Sequence, residues 1–134
     1  MTDATTSIPI SSDGDILFAR QKGRELAAQL GFGEGDRTVI AAAISEVARN
    51  IVLYARRGEI ELRSMNDRNR RGLTITARDE GPGIPDVRLA LQDGYSTGEG
   101  FGLGLPGARR LMDEFTIDSR VGGGTVVVMR KWVR

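Results

Sequence analysis

The stretch Arg78-Asp79-Glu80-Gly81-Pro82-Gly83-Ile84-Pro85 decides how this chain is read. It follows Leu73-Thr74-Ile75-Thr76-Ala77, whose alternation of bulky and smaller residues predicts a strand ending at Asp79. A carboxylate at that strand end is followed closely by Gly81 and Gly83, which permit a sharp turn and leave room for a flat ligand against the backbone. Pro82 and Pro85 stiffen the same turn by fixing φ. Alone, such a stretch is also what an ordinary polar turn contains. Two others carry the reading further: Glu46-Val47-Ala48-Arg49-Asn50 upstream and Gly100-Phe101-Gly102-Leu103-Gly104-Leu105 downstream.

Working outward, the upstream half reads as an edge strand and two helices. Residues 1–6 are small and polar and are expected to be disordered. Ser7-Ile8-Pro9-Ile10 fits an edge strand, where proline is tolerated. Ser12 and Asp15 form a capping box ahead of Ile16, Ala19, Gly23, Leu26, Ala27 and Leu30, which follow helical spacing up to Gly31. Asp36 is placed to cap a second helix running to about Ala55, with Val39, Ala43, Val47, Ile51 and Tyr54 as its apolar stripe. Glu46 and Asn50, four apart, project from one side of it at the rim of the core.

Downstream, Gly58 ends that helical unit and Glu59–Met65 alternates as a strand with one wet face. Residues 66–72 read as a charged hairpin loop, so Arg68, Arg70 and Arg71 are solvated turn charges rather than a phosphate-binding patch. Asp86 caps a short helix through Leu91, and the glycine-rich run from Gln92 to Gly104 is a functional loop. Pro106 suits the first turn of a helix continuing through Phe115. Residues 116–119 and 125–129 are the last two strands, joined through Gly122-Gly123-Gly124.

Composition bounds the function. The 134 residues suit a single domain with one core. A formal net charge of +1 gives no basic field for nucleic acid. The chain has no cysteine and no histidine, which excludes a disulfide framework, thiolate chemistry, a Ser-His-Asp triad, a histidine-held metal and a phosphohistidine on this chain. No apolar run approaches the roughly 20 residues of a membrane span, and the start lacks the regions of a signal peptide. A cytoplasmic protein without nucleic-acid or membrane partners is the expectation.

The three motifs have definite chemistry. Gly102-Leu103-Gly104-Leu105-Pro106-Gly107 fits GxGxxG, but no strand precedes it and no βαβ unit follows, so it is not a dinucleotide fingerprint. A glycine-rich loop running into a helix start still offers exposed N–H groups and a dipole to an anion. Beside phosphates, the neutral amide oxygen of Asn50 can ligate Mg²⁺ without adding repulsion. The Glu46 carboxylate, one turn away, can accept or orient the proton of an attacking hydroxyl. Asp79 can accept from an exocyclic amine such as adenine N6, with the Thr125 hydroxyl beside it. Taken singly, a helical Glu and Asn are ordinary surface residues, and Thr is a common strand residue.

The ordered set Glu46-x-x-x-Asn50, Asp79-x-Gly81-x-Gly83, Gly100-x-Gly102-Leu103-Gly104-Leu105 and Gly124-Thr125 resembles the N, G1 and G2 boxes and terminal GT of the GHKL ATPase/kinase superfamily. More narrowly, residues 44–51, Asp93-Gly94-Tyr95-Ser96-Thr97, Gly104-Leu105-Pro106-Gly107 and Leu111–Phe115 resemble the stressosome switch kinases of the RsbT type. The resemblance implies an α+β, two-layer sandwich of the Bergerat type: a mixed, mostly antiparallel sheet covered on one face by helices. It implies ATP and Mg²⁺ as cofactors, Glu46 as base or hydroxyl-orienting residue, Asn50 as metal ligand and Asp79 as adenine reader. Gly81 and Gly83 would shape the base pocket, and Gly100, Gly102 and Gly104 the phosphate lid. Tyr54, Ile84, Gly98, Leu103 and Thr125 complete the implied nucleotide site.

Implied partners are STAS-domain proteins phosphorylated on serine or threonine, and a PP2C-type phosphatase activated by the freed kinase. A second reading is an anti-sigma factor that holds a sigma factor in a nucleotide-dependent way; Leu105-Pro106-Gly107 favours the switch kinase. Two departures stand out. Leu53 occupies a position where sensor kinases often carry lysine, and the lid has no Lys or Arg. Arg49 and Arg109 are the nearest candidates for a cation on the triphosphate, or equally for contacts with a partner.

Overall fold

The computed structural model of the protein describes residues 5–84 and 104–134. Strand β1 (Thr5–Ile10) leads into helices α1 (Asp13–Leu30) and α2 (Glu34–Tyr54). Strands β2 (Gly58–Asp67) and β3 (Arg70–Asp79) follow, then helix α3 (Gly104–Leu111) and strands β4 (Glu114–Arg120) and β5 (Gly124–Trp132). The sheet order is β1-β2-β3-β5-β4. A mixed sheet is the expectation; every pairing among the described residues is antiparallel. β1 is an edge strand and begins at Thr5, inside the segment expected to be disordered.

Side chains alternate across a strand, so the register defines rows on the helix-covered face. One row runs Thr6, Leu62, Ile75, Met129 and Phe115, and the next runs Ile8, Ile60, Ala77, Val127 and Ile117. The third runs Ile10, Gly58, Asp79, Thr125 and Ser119. The first two rows carry most of the buried apolar side chains of the sheet, while the third turns polar at the edge of the core. That polar row is where the site lies.

α2 is the central helix, packed against α1, α3 and the sheet. It buries Ile40, Ala41, Ala43, Ile44, Val47, Ala48 and Ile51, a face wider than the expected stripe, while Tyr54 remains 44% exposed. Three packing partners require more than one stripe. α1 buries Ile16, Ala19, Gly23 and Ala27 as its spacing predicts. A Cβ on Gly23 would run into the side chain of Ile44, so this glycine sets how closely α1 and α2 approach. Ser12 caps α1 by accepting from Asp15 N, but the Asp15 carboxylate accepts from Ser11 N, one residue outside the usual box.

Four local expectations change. Asp36 does not cap α2: Gly33 is the N-cap without a side-chain bond, and Glu34 and Asp36 lie in the first turn, favourable to the helix dipole. Phe32, immediately before that cap, is buried in the core. Gly58 does not itself end the helical unit: Ala55 is the C-cap of α2, Arg56 takes the left-handed conformation at φ 71°, and Gly58 is already strand.

Residues 66–72 are not a loop. Arg68 (φ 48°) and Asn69 (φ 71°) alone turn the β2–β3 hairpin, as a two-residue primed turn requires. Arg70 stacks 3.9 Å over the Trp132 ring, and Val133 N donates to the Arg71 carbonyl, so the polar strand ends are held by the chain's C-terminus. Phe115 is not helical either. Buried Lys131 donates to the Leu111 carbonyl at 3.0 Å and Asp113 N donates to the Arg130 carbonyl, which ends α3 and draws Phe115 into β4 beside Met129.

Candidate functional site

The first part of the site is the rim of α2. Flanked by buried Val47 and Ala43, Glu46 has a side chain only 10% exposed. Its Oε1 accepts from the backbone N–H of Gly104, the first residue of α3, at 2.9 Å. Arg49 Nη1 lies 3.3 and 3.2 Å from the two carboxylate oxygens. The carboxylate is thus held between its own helix and the start of α3, in the favourable place for an anion at a helix N-terminus. Arg49, one of the two candidates for a triphosphate cation, here has its guanidinium engaged with Glu46, whereas Arg109 is exposed on α3. Asn50 stands one turn from Glu46, half-buried, and Tyr54 one turn further.

The second part is the polar row at the strand ends. Asp79 continues the inward face of Ile75 and Ala77, and its Oδ1 accepts from Gly81 N at 2.9 Å, closing the turn. Among the described residues, this N–H is the one donor given to the carboxylate. Thr125, 4% exposed, stands opposite Asp79 on β5. The glycines here answer to the chain's own packing. A Cβ on Gly81 would press on Ala55 at 2.6 Å, and one on Gly58 on Ile51 at 2.9 Å. Gly83 (φ 80°) and Gly124 (φ 85°) are left-handed, and a Cβ would strike the carbonyls of Arg120 and Asp79 respectively.

Ser119 is a member that the sequence reading missed. Its Oγ accepts from Ile84 N at 2.7 Å, lies 2.7 Å from Thr125 Oγ1 and reaches the Gly124 carbonyl at 3.4 Å. With Gly122 N donating to the Pro82 carbonyl at 2.8 Å, it straps the turn after β3 to the β4–β5 turn. A signal for it exists: in the alternation Phe115, Ile117, Ser119, a hydroxyl replaces the third inward apolar residue.

Gly58 and Gly81 join the two parts by packing the strand ends on Ile51, in the last turn of α2, and on Ala55, its C-cap. Glu46 and Ala55 are nine positions apart, about 13 Å along the helix axis. The structure therefore sets Glu46, Asn50 and Gly104 at one end of a wall and Asp79, Gly81, Ile84 and Thr125 at the other. Gly98, Gly100, Gly102 and Leu103, like the short helix from Asp86, lie outside the described residues. Among the described residues no three His, Cys, Asp or Glu side chains gather into a metal cluster.

Residues 15–131 match the histidine kinase-like ATPase domain family. The serine/threonine-protein kinase RsbT of Bacillus subtilis is 51% identical over 127 residues, covering 95% of this chain and 96% of that protein. The anti-sigma F factor of Caldanaerobacter subterraneus subsp. tengcongensis is 34% identical over 130 residues, covering 92% and 90%. Among solved structures, the RsbU and RsbW domains of Rv1364c from Mycobacterium tuberculosis align with a TM-score of 0.64 at 19% identity, over 98% of this chain and 32% of that one. The mycobacterial sensor histidine kinase MprB aligns with a TM-score of 0.56 at 19% identity, over 96% and 99%. At such identities the structural matches speak for the fold.

Proposed function

The chain belongs to the histidine kinase-like ATPase domain family, and from that premise we propose that it is an ATP-dependent serine/threonine-protein kinase working in a partner switch. The observation that carries the reading is the 51% identity, over nearly the full length of both chains, to a serine/threonine-protein kinase. Its substrates in this proposal are STAS-domain proteins, and the freed kinase activates a PP2C-type phosphatase. No described helix is long and apolar enough to cross a membrane, and the proposal puts the protein in the cytoplasm.

The residues present fit a magnesium nucleotide. Asp79 has one carboxylate oxygen on Gly81 N and the other available to an exocyclic amine. Asn50 offers a neutral oxygen where no acidic cage gathers among the described residues, which suits a cation that keeps waters and phosphate oxygens as its main ligands. When bound, Mg²⁺ supplies neutralisation of phosphate charge. Asp79, Gly81, Ile84 and Thr125 hold the base, with Tyr54 at that same end of α2; Asn50 and the N-terminus of α3, at Gly104, face the phosphates.

Glu46 is the catalytic base of this reading. Arg49 and Gly104 N–H hold its carboxylate in one orientation while leaving lone pairs for the acceptor hydroxyl, whose proton it takes. In Glu46→Gln the shape persists without the proton acceptor. Transfer from ATP to a STAS-domain protein is expected to fall by about 10²–10⁴-fold while ATP affinity changes little. A variant that phosphorylates at the parent's rate removes Glu46 from the role. The 34% identity to an anti-sigma F factor supports a second reading, sigma-factor binding. Co-purification separates the two: STAS and phosphatase partners support the switch kinase, a sigma factor the alternative.

A further inference from the structure

We propose that the protein acceptor docks on the outer stripe at the end of α2, from Leu53 to Arg57, which takes an apolar side chain flanked by acidic ones. The inference rests on the kinase reading above and starts from where Glu46 stands. Glu46, Arg49 and Leu53 fall at i, i+3 and i+7 of α2, so they lie along one stripe. On the inner side Glu46 is backed by buried Ala43 and Val47, and the Gly104 N–H of α3 closes on its Oε1 at 2.9 Å. Asn50, beside it on the helix, belongs to the metal and phosphates in that reading. The approach left to the Glu46 carboxylate runs along the stripe, so a protein that brings a hydroxyl there lies over Arg49 and Leu53.

The stripe has the composition of a contact surface. Leu53 is 48% exposed, in a helix whose isoleucines are all buried. Residues 49–58 contain three arginines and no acid. Arg56 and Arg57 are exposed and have no ion-pair partner among the described residues. On the sheet, by contrast, Arg78 lies 3.6 Å from both Glu59 and Glu61, and Arg130 lies 3.5 Å from Glu114. Arg56 also takes a left-handed conformation that favours glycine. A charged side chain kept at a strained, exposed position without a partner in its own chain points to a partner outside it.

Spacing sets the pattern expected of the acceptor. Leu53 is seven positions from Glu46, about 10 Å along the helix axis. An extended segment covers about 3.3 Å per residue, so an apolar side chain roughly three positions from the phosphorylated hydroxyl meets Leu53. Acidic side chains just beyond it meet Arg56 and Arg57.

The test uses the full chain loaded with Mg²⁺-ADP and a STAS-domain protein as the probe, with its affinity read by calorimetry. Leu53→Asp and the double variant Arg56→Glu/Arg57→Glu are each expected to weaken binding about tenfold. Affinity for Mg²⁺-ATP, and the transfer rate at saturating acceptor, should stay at the parent's values. Arg68→Glu, at the β2–β3 turn on the other end of the sheet, should change neither. Arg56→Gly removes the backbone strain, so it should raise the urea midpoint and still weaken acceptor binding.

Unchanged acceptor affinity in both Leu53→Asp and the double variant overturns the proposal. An equal loss in Arg68→Glu reveals general charge attraction rather than a docking surface, and overturns it too. If the arginine variants lose Mg²⁺-ATP and keep the acceptor, the stripe serves the triphosphate and the proposal falls. A parent that binds Mg²⁺-ATP but neither binds nor phosphorylates a STAS-domain protein overturns the substrate reading itself, and this inference with it.

Discussion

Asp79 shows how much one side chain is asked to do. Its Oδ1 closes the turn by accepting from Gly81 N, and in the proposed site the rest of the carboxylate reads the base. Asp79→Asn separates the two tasks, since the amide oxygen can still accept from Gly81 while the amide nitrogen offers donors where an amine needs an acceptor. An unpaired buried donor costs about 1–3 kcal/mol, so ATP affinity should fall roughly ten- to hundredfold with the fold intact. Calorimetry measures it, and equal affinity in variant and parent would remove Asp79 as base reader. The position was legible in sequence because a carboxylate at a strand end, two residues before Gly-Pro-Gly, is locally unusual. The partner of Arg49 was not, because a guanidinium on a helix rim can reach an acid on its own helix, a ligand or another protein with equal ease.

Elements are held to one another by a few long-range polar contacts. Lys131, buried on β5, donates to the Leu111 carbonyl at the end of α3 and lies 3.8 Å from Asp113 and 4.0 Å from Asp36 of α2. α3 is therefore tied at its start to Glu46 and at its end to Lys131. Lys131→Met keeps the stem and leaves the Leu111 carbonyl without that donor. Stability should fall by about 1–3 kcal/mol, with faster amide exchange over residues 105–111. Urea unfolding and exchange measure both; an unmoved midpoint would show that the contact contributes nothing.

The cap of α1 predicts a pH effect. The backbone N–H of Ser11 holds the Asp15 carboxyl below its ordinary value of 3.8 against the opposing effect of desolvation, with smaller help from the hydroxyls of Ser11 and Ser12 and the backbone of Ser12. A depressed pKa stabilises the fold above the unfolded value, and that contribution is lost as pH falls from about 3.8 through the lower folded value. Asp15→Asn should thus be less stable than the parent near neutrality, and the gap should narrow below that pH. Urea midpoints across an acid series check it, and a constant gap would remove the ionised cap as the cause.

For the molecule as a whole, the site joins the last turns of α2, the turn after β3 and the β4–β5 turn, so a nucleotide bound there stabilises all of them together. A ligand that binds only the folded state at a hundred times its dissociation constant adds about 2.7 kcal/mol. For a domain of this size that is roughly 5–10 °C in melting temperature. Scanning calorimetry should show the shift with Mg²⁺-ATP and a smaller one with Mg²⁺-GTP at equal concentration. Equal shifts would argue against selection at the base end.

By itself the sequence determined the kind and order of the described elements, the inward residues of α1, and the place of Glu46, Asn50, Asp79 and Thr125 relative to them. Those follow from apolar period and from glycine and proline geometry, which act within a few residues. Only the tertiary structure decided that α3 stops at Leu111, that the β2–β3 connection is a two-residue turn, that the glycines answer to Ala55, Arg120 and Asp79, and that Ser119 belongs to the site. Each depends on groups far apart along the chain, as in Glu46 with Gly104, 58 positions away, and Ser119 with Ile84, 35 away. Local propensity says nothing about such pairs, because the hydrogen bond that orients them exists only once the helices have closed over the sheet.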